Sequence, residues 1–110
     1  MKVAMISQPK ETCQEIYNEK RDIAIGYLYT KGYRPINAVS DLFTTCGTFK
    51  PRLRELGQRL TTMSEASLVY FLSGWENDRN CKLEYLAAKE FDIEVELEET
   101  VIERIKNLQV

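Results

Sequence analysis

The chain has 110 residues, of which 44% are hydrophobic and 29% charged, with a formal net charge of -2 and no histidine. This length predicts a single domain spanning residues 1–110, and the acidic balance argues against a nucleic-acid polymer as partner, because that binding needs a basic face. The absence of histidine excludes the Ser–His and Cys–His catalytic arrangements and removes the commonest ligand of catalytic zinc.

The first predicted elements are a strand and a long helix. Residues 3–6 form a short apolar run that predicts a strand. Thr12 and Glu15 have the spacing of a capping box and predict the start of a helix over residues 13–31. Gly32 then stands where a left-handed helix cap is expected. Five residues form the inward face of this predicted helix: Ile16, Ile23, Ala24, Tyr27 and Leu28.

A second strand and a second helix follow. Residues 33–39 predict a strand, and Pro35 favours an edge position because proline cannot donate to a ladder. Residues 40–50 lack periodicity and predict a loop, which we interpret either as a lid on a site or as a surface turn. Pro51 suits the first turn of a helix. Four residues give that helix its apolar face: Leu53, Leu56, Leu60 and Met63. Arg54 and Arg59 are interpreted as solvated helix charges, with a clamp for an anion as the alternative.

The central stretch, residues 68–88, predicts a strand, a loop and a helix. Residues 68–72 are a continuous apolar run typical of a strand buried on both faces, in which Tyr70 belongs to the core. A polar loop over residues 74–80 follows. The next helix has apolar residues at helical spacing, namely Leu83, Leu86, Ala87 and Phe91. Glu84 lies in its first turns, where the helix dipole stabilises a carboxylate in its charged form.

The last elements complete a recognisable fold class. Residues 93–97 alternate as a strand exposed on one side, and Thr100 with Glu103 predicts the cap of a final helix. The order βαβαβαβα predicts an α/β three-layer sandwich: a parallel sheet of four strands, or five, in the flavodoxin-like order 2-1-3-4, with helices on both faces. Ligands of such sheets bind where the order reverses, so residues 7–11 and 74–84 are expected to face one crevice.

Cofactor, metal and membrane signals are absent from the sequence. The chain contains neither GxGxxG nor GxxxxGK[ST]. Cys13, Cys46 and Cys81 are 33 and 35 residues apart, which fits no zinc template and indicates free thiols. We therefore expect no cofactor and no metal. The apolar run at the start is too short for a signal peptide or a membrane span, which favours a cytoplasmic protein with no membrane partner.

Residues 68–88, LVYFLSGWENDRNCKLEYLAA, resemble the nucleoside 2-deoxyribosyltransferase-like family, including its small phage and bacterial members of unknown function. The similarity covers most of the chain, and its most specific part is Gly74, Trp75 and Glu76 followed by Glu84. This resemblance implies cleavage of the N-glycosidic bond of a deoxynucleoside with retention, by transfer or hydrolysis. Glu84 matches the nucleophile that forms the covalent sugar intermediate.

The resemblance also implies a set of binding residues, which are Ser7, Gln8, Pro9, Asn37, Gly74, Trp75 and Asp78. Asp78 stands where the nucleotide hydrolases carry a phosphate-binding serine, which favours a nucleoside over a nucleotide, although a helix N-cap explains it as well. Trp75 is either a stacking residue at the rim or an oligomer contact. For Asn37 the main alternative is a hydrogen bond to loop backbone.

Two departures from the family leave three hypotheses open. Ser67 replaces the aspartate expected before the buried strand, and residues 57–60 offer no acid to protonate the leaving base. The chain is therefore an enzyme acting on a nucleoside or nucleotide, a non-catalytic module that binds or sequesters such a ligand, or an assembly protein. The resemblance also implies a homo-oligomer, a dimer or larger, in which neighbours complete each other's site, and an acidic residue supplied by a neighbour could repair the deficit.

Overall fold

A computed structural model describes residues 2–37 and 51–108, which alternate strands and helices in the predicted order. The elements are β1 (Lys2–Ser7), α1 (Gln14–Thr30), β2 (Tyr33–Asn37), α2 (Pro51–Met63), β3 (Leu68–Phe71), a short 3₁₀ helix (Trp75–Asn77), α3 (Arg79–Glu90), β4 (Glu94–Leu97) and α4 (Glu98–Leu108). The predicted residues 38 and 39 of the second strand, the loop over residues 40–50 and Cys46 lie outside the described residues.

The four strands form one parallel sheet in the order β2-β1-β3-β4. This confirms the predicted flavodoxin-like order 2-1-3-4. Met5 of β1 pairs with Ile36 of β2 on one side and with Val69 of β3 on the other. The strand β2, which contains Pro35, lies at an edge as predicted, because an edge strand leaves one ladder unformed and tolerates the missing donor.

Each face of the sheet has its own hydrophobic cluster, so the fold has three layers. Alternate side chains of β1 and β3 pack with α1 and α4 on one face, through Ala4, Ile6, Ala24, Leu28, Leu68, Tyr70, Leu72 and Val101. The other face packs with α2 and α3, through Met5, Met63, Val69, Phe71, Cys81 and Ala88. Every residue of β3 is buried, which confirms the prediction of a strand covered on both sides, with Tyr70 in the core.

Both predicted capping boxes are wrong. The N-cap of α1 is Cys13, whose side chain makes no capping hydrogen bond, so Thr12 lies outside the cap. The helix α4 begins at Glu98 directly after β4, so Thr100 lies inside it. Glu98 and Glu99 occupy that first turn, where the helix dipole favours carboxylates and no loop is needed. Gly32 does adopt the predicted left-handed conformation, with φ 84°.

The predicted inward faces of α1 and α3 are only partly right. In α1, Ala24 and Leu28 are buried, whereas Ile16 and Ile23 are exposed. In α3 the buried residues are Cys81, Glu84 and Ala88, and the apolar Leu83, Leu86 and Phe91 are exposed. Small side chains at two of those buried positions let the helix lie close to the sheet, which brings Glu84 inward with them.

Two further predictions concern membranes and thiols. Within residues 2–37 and 51–108, no helix combines the length and the apolar character needed to cross a membrane. Cys13 and Cys81 are free thiols, the first half-buried and the second fully buried.

Candidate functional site

The candidate site lies at the carboxyl ends of the two central strands, β1 and β3. The loop after β1 and the segment between β3 and α3 form the walls of an open cleft of about 620 Å³. Its lining includes Pro9, Lys10, Gly74, Asp78 and Arg79. This is the edge of the sheet where the strand order reverses, the usual ligand site of open α/β sheets. The two segments that the sequence assigned to one crevice therefore meet there.

Glu84 lies close to this edge in a buried hydrogen-bond network. The Ser7 hydroxyl donates to Glu84 Oε1 at 2.8 Å. The Arg59 guanidinium donates from Nη2 to Oε1 at 2.6 Å and from Nε to Oε2 at 2.9 Å. The Glu84 side chain is 0% exposed and Arg59 9%. The carboxylate is thus shielded from solvent and held by a two-point ion pair, the strongest geometry that arginine offers.

The elements that meet at Glu84 explain why the network forms. Ser7 is the last residue of β1. It follows Met5 by two residues, so both side chains point to the face of the sheet that packs with α2 and α3. Arg59 follows Leu56 by three residues and precedes Met63 by four, so it lies on the inward face of α2. The prediction that Arg59 is a solvated charge is therefore wrong. That helical spacing is the signal that identifies Arg59 as an inward-facing residue.

Burial controls the protonation of this network. Burial raises the pKa of Glu84 above its usual range, while the Arg59 charge and the Ser7 hydroxyl act against that increase. Burial lowers the pKa of Arg59, but the neighbouring carboxylate more than offsets this and the pKa lies above its ordinary value. Burial raises the pKa of the Cys81 thiol to about 12, with Ser7 opposing. Arg59 therefore stays charged, and Cys81 is an inert thiol.

Asp78 is the N-cap of α3, which confirms the alternative left open by the sequence. Its Oδ1 accepts a hydrogen bond from the Cys81 backbone N–H at 3.1 Å, and its Oδ2 accepts one from the Lys10 backbone N–H at 3.1 Å. Burial tends to raise the pKa of Asp78, but these two N–H groups and the Arg59 charge lower it below its usual value. The carboxylate thus joins the two walls of the cleft.

Gly74 and Trp75 shape the segment after β3. Gly74 has φ 93°, a left-handed conformation that favours glycine, and a Cβ there would lie 3.7 Å from Cγ of Pro9. The Trp75 ring stacks on Tyr85 with a centroid distance of 4.5 Å and packs against Phe71. Its Nε1 donates to Glu99 at 3.4 Å. Trp75 therefore has one ring face committed to Tyr85 of its own chain.

Contacts from α4 hold the same segment. Glu98 Oε1 accepts a hydrogen bond from the Ser73 backbone N–H at 3.0 Å. Together with the bond from Trp75 to Glu99, this ties the segment after β3 to the first turn of α4. The carboxylates that begin α4 therefore support a wall of the cleft that α4 itself does not line.

Several charged side chains line the cleft. Lys20 of α1 forms an ion pair with Glu11, which cancels one charge of each sign. Both oxygens of Asp78 accept backbone hydrogen bonds. The side chains of Lys10 and Arg79 make no ion pair or hydrogen bond with any residue of the described ranges. The cleft therefore presents two cations without a partner in this part of the chain.

The remaining predicted binding residues differ in position. Gln8 is 6% exposed, and its Nε2 donates to the Tyr17 carbonyl at 2.7 Å, while its Oε1 is buried without a partner in the described structure. Pro9 lines the cleft. The backbone of Asn37 pairs with Ile6 at the edge strand β2, and its side chain lies outside the described part.

The described residues contain no cluster of three or more His, Cys, Asp and Glu side chains that could hold a metal ion.

Comparison of the chain with protein-family models, with curated proteins and with solved structures gives no match.

Proposed function

We propose that this protein is a binding domain that holds a nucleoside or nucleotide in the cleft between the β1–α1 loop and the segment after β3, without using Glu84 as a nucleophile. The observation that carries the second half of this proposal is the ion pair between Glu84 and Arg59. A glycosidase nucleophile must bring a carboxylate oxygen to the anomeric carbon. The Glu84 carboxylate is fully buried, and its charge is neutralised by two hydrogen bonds from one guanidinium.

The cleft supports the ligand-binding half of the proposal. Its volume of about 620 Å³ is within the range of small-molecule sites. It lies at the point where the strand order reverses, and its walls offer backbone groups, amides and charged groups together. These include Asn77 and Asn80, whose side chains suit the polar edges of a base or sugar. The class of ligand comes from the resemblance of residues 68–88 described above.

The charges of the cleft suit a phosphorylated ligand as well as a neutral one. Both oxygens of Asp78 already accept backbone hydrogen bonds, which reduces their repulsion of a nearby anion. Lys10 and Arg79 line the same cleft and have no ion-pair partner within residues 2–37 and 51–108. The ligand panel therefore has to include nucleotides beside nucleosides.

A second candidate function is the N-glycosidic cleavage or transfer that the resemblance implies. It is favoured by the place of Glu84, which lies beside Ser7 at the carboxyl edge of β1. In that reaction a Glu84 oxygen attacks the anomeric carbon, the C–N bond breaks, and its electron pair leaves with the base, which takes a proton from water. A second base or a water molecule then attacks the same carbon, the bond to Glu84 breaks, and the carboxylate is restored. The reaction requires Glu84 to exchange its bonds with Arg59 for access to the sugar.

One experiment separates the two functions. The protein is incubated with deoxyinosine plus adenine, and base exchange and free hypoxanthine are followed by chromatography. Binding of nucleosides and their 5′-monophosphates is measured by calorimetry in parallel. We expect binding of at least one compound without exchange or hydrolysis.

The controls use two glutamates of the same helix. Turnover that disappears in Glu84→Gln and persists in Glu90→Gln, an exposed position, would establish the enzymatic function and refute the binding-only proposal. Circular dichroism verifies that both variants fold. Absence of both binding and turnover would refute both functions and leave the assembly hypothesis.

Self-association into a dimer or larger is a further part of the proposal. Three large apolar side chains on α3 and directly after it are exposed: Leu83 at 39%, Leu86 at 63% and Phe91 at 76%. Exposed apolar side chains that form a patch are a feature of association surfaces. Light scattering after size-exclusion chromatography measures the mass, and a monomer at every concentration would contradict this part. The cytoplasmic location stays a prediction from the sequence.

A further inference from the structure

The two carboxylates that line the cleft are already engaged by the protein. Glu11 forms an ion pair with Lys20, which lines the cleft as well. Asp78 accepts hydrogen bonds through both of its oxygens, from the backbone N–H groups of Lys10 and Cys81, each at 3.1 Å. The described lining of the cleft contains no third carboxylate. The negative charge of the cleft is therefore satisfied from within the chain.

The donors of the cleft, by contrast, are free. Two cationic side chains of the lining, Lys10 and Arg79, are exposed and have no ion pair or hydrogen bond with residues 2–37 and 51–108. Three neutral side chains that can donate are equally without a partner in this part of the chain, namely Ser73, Asn77 and Asn80. The cleft thus offers positive charge and hydrogen-bond donors, whereas its strongest acceptors are occupied.

Lys10 and Arg79 approach the cleft from its two walls. Lys10 belongs to the segment after β1, and Arg79 follows Asp78 directly at the start of α3. Because the Lys10 backbone N–H bonds to the Asp78 side chain, the connection between the two cationic residues is one hydrogen bond and the Asp78 residue. Long cationic side chains that begin this close together can reach one group between them. A group with negative charge and several acceptor atoms satisfies both.

We propose that the cleft selects a phosphate monoester and that Lys10 and Arg79 bind its phosphate group. This inference rests on the proposed function and narrows its ligand to the phosphorylated one. A phosphate monoester carries a charge of about -1.5 to -2 at pH 7 and three strong acceptor oxygens, which match the free donors.

The balance of charge in the cleft supports this choice. The lining has three cations and two carboxylates, so it is net positive in a chain whose formal net charge is -2. Asp78 taken alone favours a nucleoside, because a carboxylate repels a phosphate. Its two bonds to backbone N–H groups weaken that repulsion, and the cations on either side of it reverse the preference.

The test compares the original chain with Lys10→Met and Arg79→Met, which remove one cation each, and with Lys82→Met as matched control. Lys82 is an exposed cation of α3 outside the cleft lining. Calorimetry measures the affinity for the four common 2′-deoxynucleosides and their 5′-monophosphates. We expect at least one monophosphate to bind about tenfold more tightly than its nucleoside. Each cleft variant should bind it about three- to tenfold more weakly, with nucleoside affinity and Lys82→Met unchanged.

The fold of the variants is checked by thermal denaturation. The side chains of Lys10 and Arg79 have no described partner to lose, so all variants should melt at the temperature of the original chain. A markedly lower melting temperature of both cleft variants would show that these cations have partners within the chain and would overturn the inference.

The part of the ligand that carries affinity is found with 2-deoxyribose 5-phosphate. If it binds more weakly than the nucleotide and the cleft variants weaken both, the inference and the proposed function are supported together. If it binds as tightly as the nucleotide with the same losses, the phosphate site is supported and the nucleoside class of ligand fails.

Three results separate the inference from the proposed function. Equal affinities of the original chain for each nucleoside and its monophosphate would overturn the inference and leave the proposed function intact. Equal losses in Lys82→Met would do the same, because they would reflect the charge of the whole chain and not the cleft. Absence of binding by the original chain would overturn both.

Discussion

Replacement of Arg59 by methionine tests whether the buried ion pair holds α2 and α3 together. Methionine keeps much of the side-chain volume but removes both hydrogen bonds to Glu84, at 2.6 and 2.9 Å. The carboxylate, 0% exposed, then keeps only the Ser7 hydroxyl as a described partner. Loss of one partner from a buried pair costs about 3 to 5 kcal/mol, a large part of the total stability of a domain this size.

The loss has a characteristic pH dependence. Without Arg59, burial raises the pKa of Glu84 further above its value in the unfolded chain. A carboxyl group with a raised pKa in the folded state destabilises the fold increasingly as pH rises above its unfolded value, and the penalty disappears below that value. Arg59→Met is therefore expected to be much less stable than the original chain at pH 8 and closer to it near pH 4.

The assay is urea denaturation followed by circular dichroism at the two pH values. Arg104→Met, at an exposed position of α4, serves as control and should cost less than about 0.5 kcal/mol. The double variant Arg59→Met with Glu84→Met removes both charges and should recover most of the loss, because apolar pairs replace buried ion pairs at little cost. A loss below about 1 kcal/mol for Arg59→Met at pH 8 would show that the pair is not buried in solution and would refute the argument against a nucleophilic Glu84.

Three other measurements check the geometry of the cleft. Asp78→Ala should cost about 1 kcal/mol at pH 7 by removing the cap of α3. Since the pKa of Asp78 is lowered in the folded chain, the difference from the original chain should shrink as pH falls below the usual pKa of an aspartate and vanish once Asp78 is protonated; a constant difference would contradict the capping role. Iodoacetamide at pH 8 should modify Cys13 and spare Cys81, because burial raises the pKa of the Cys81 thiol to about 12. Peptide mass spectrometry that finds Cys81 labelled in the folded protein would refute its burial. Gly74→Ala should destabilise the fold by about 1 to 2 kcal/mol, because alanine is strained at a φ of 93°. Steric conflict adds nothing, since the new Cβ would make an ordinary contact with Pro9. An unchanged melting temperature would contradict the left-handed turn.

The sequence predicts the fold well because its strands are strong signals. The run over residues 68–72 identifies the central strand, Pro35 identifies an edge, and right-handed crossovers leave few strand orders. Helix starts are predicted poorly. Thr12 and Thr100 are residue types that often cap helices, but neither is an N-cap here. The helix α4 follows β4 without a loop, so it begins before Thr100. Contacts with the rest of the chain decide where a helix begins.

The candidate site is predicted only in part, and α3 shows why. Its apolar residues Leu83 and Leu86 suggest one buried face, whereas Cys81, Glu84 and Ala88 form the real one. A helix of 12 residues gives too few repeats for periodicity to distinguish these faces. The glutamate was expected to face the crevice, whereas it is buried beside Ser7 and does not line the cleft. Its burial depends on Arg59, 25 residues earlier in the chain, and single-sequence reasoning does not connect the two.

The attachment of the segment after β3 to α4 has a consequence for any bound molecule. Because Ser73 and Trp75 are hydrogen-bonded to Glu98 and Glu99, opening of the first turn of α4 and loosening of that wall are coupled events. A molecule that binds only the intact wall must, by thermodynamic reciprocity, lower the population of the locally open form of a helix that does not line the cleft. Amide hydrogen exchange in residues 98–101 would then report occupancy of the cleft.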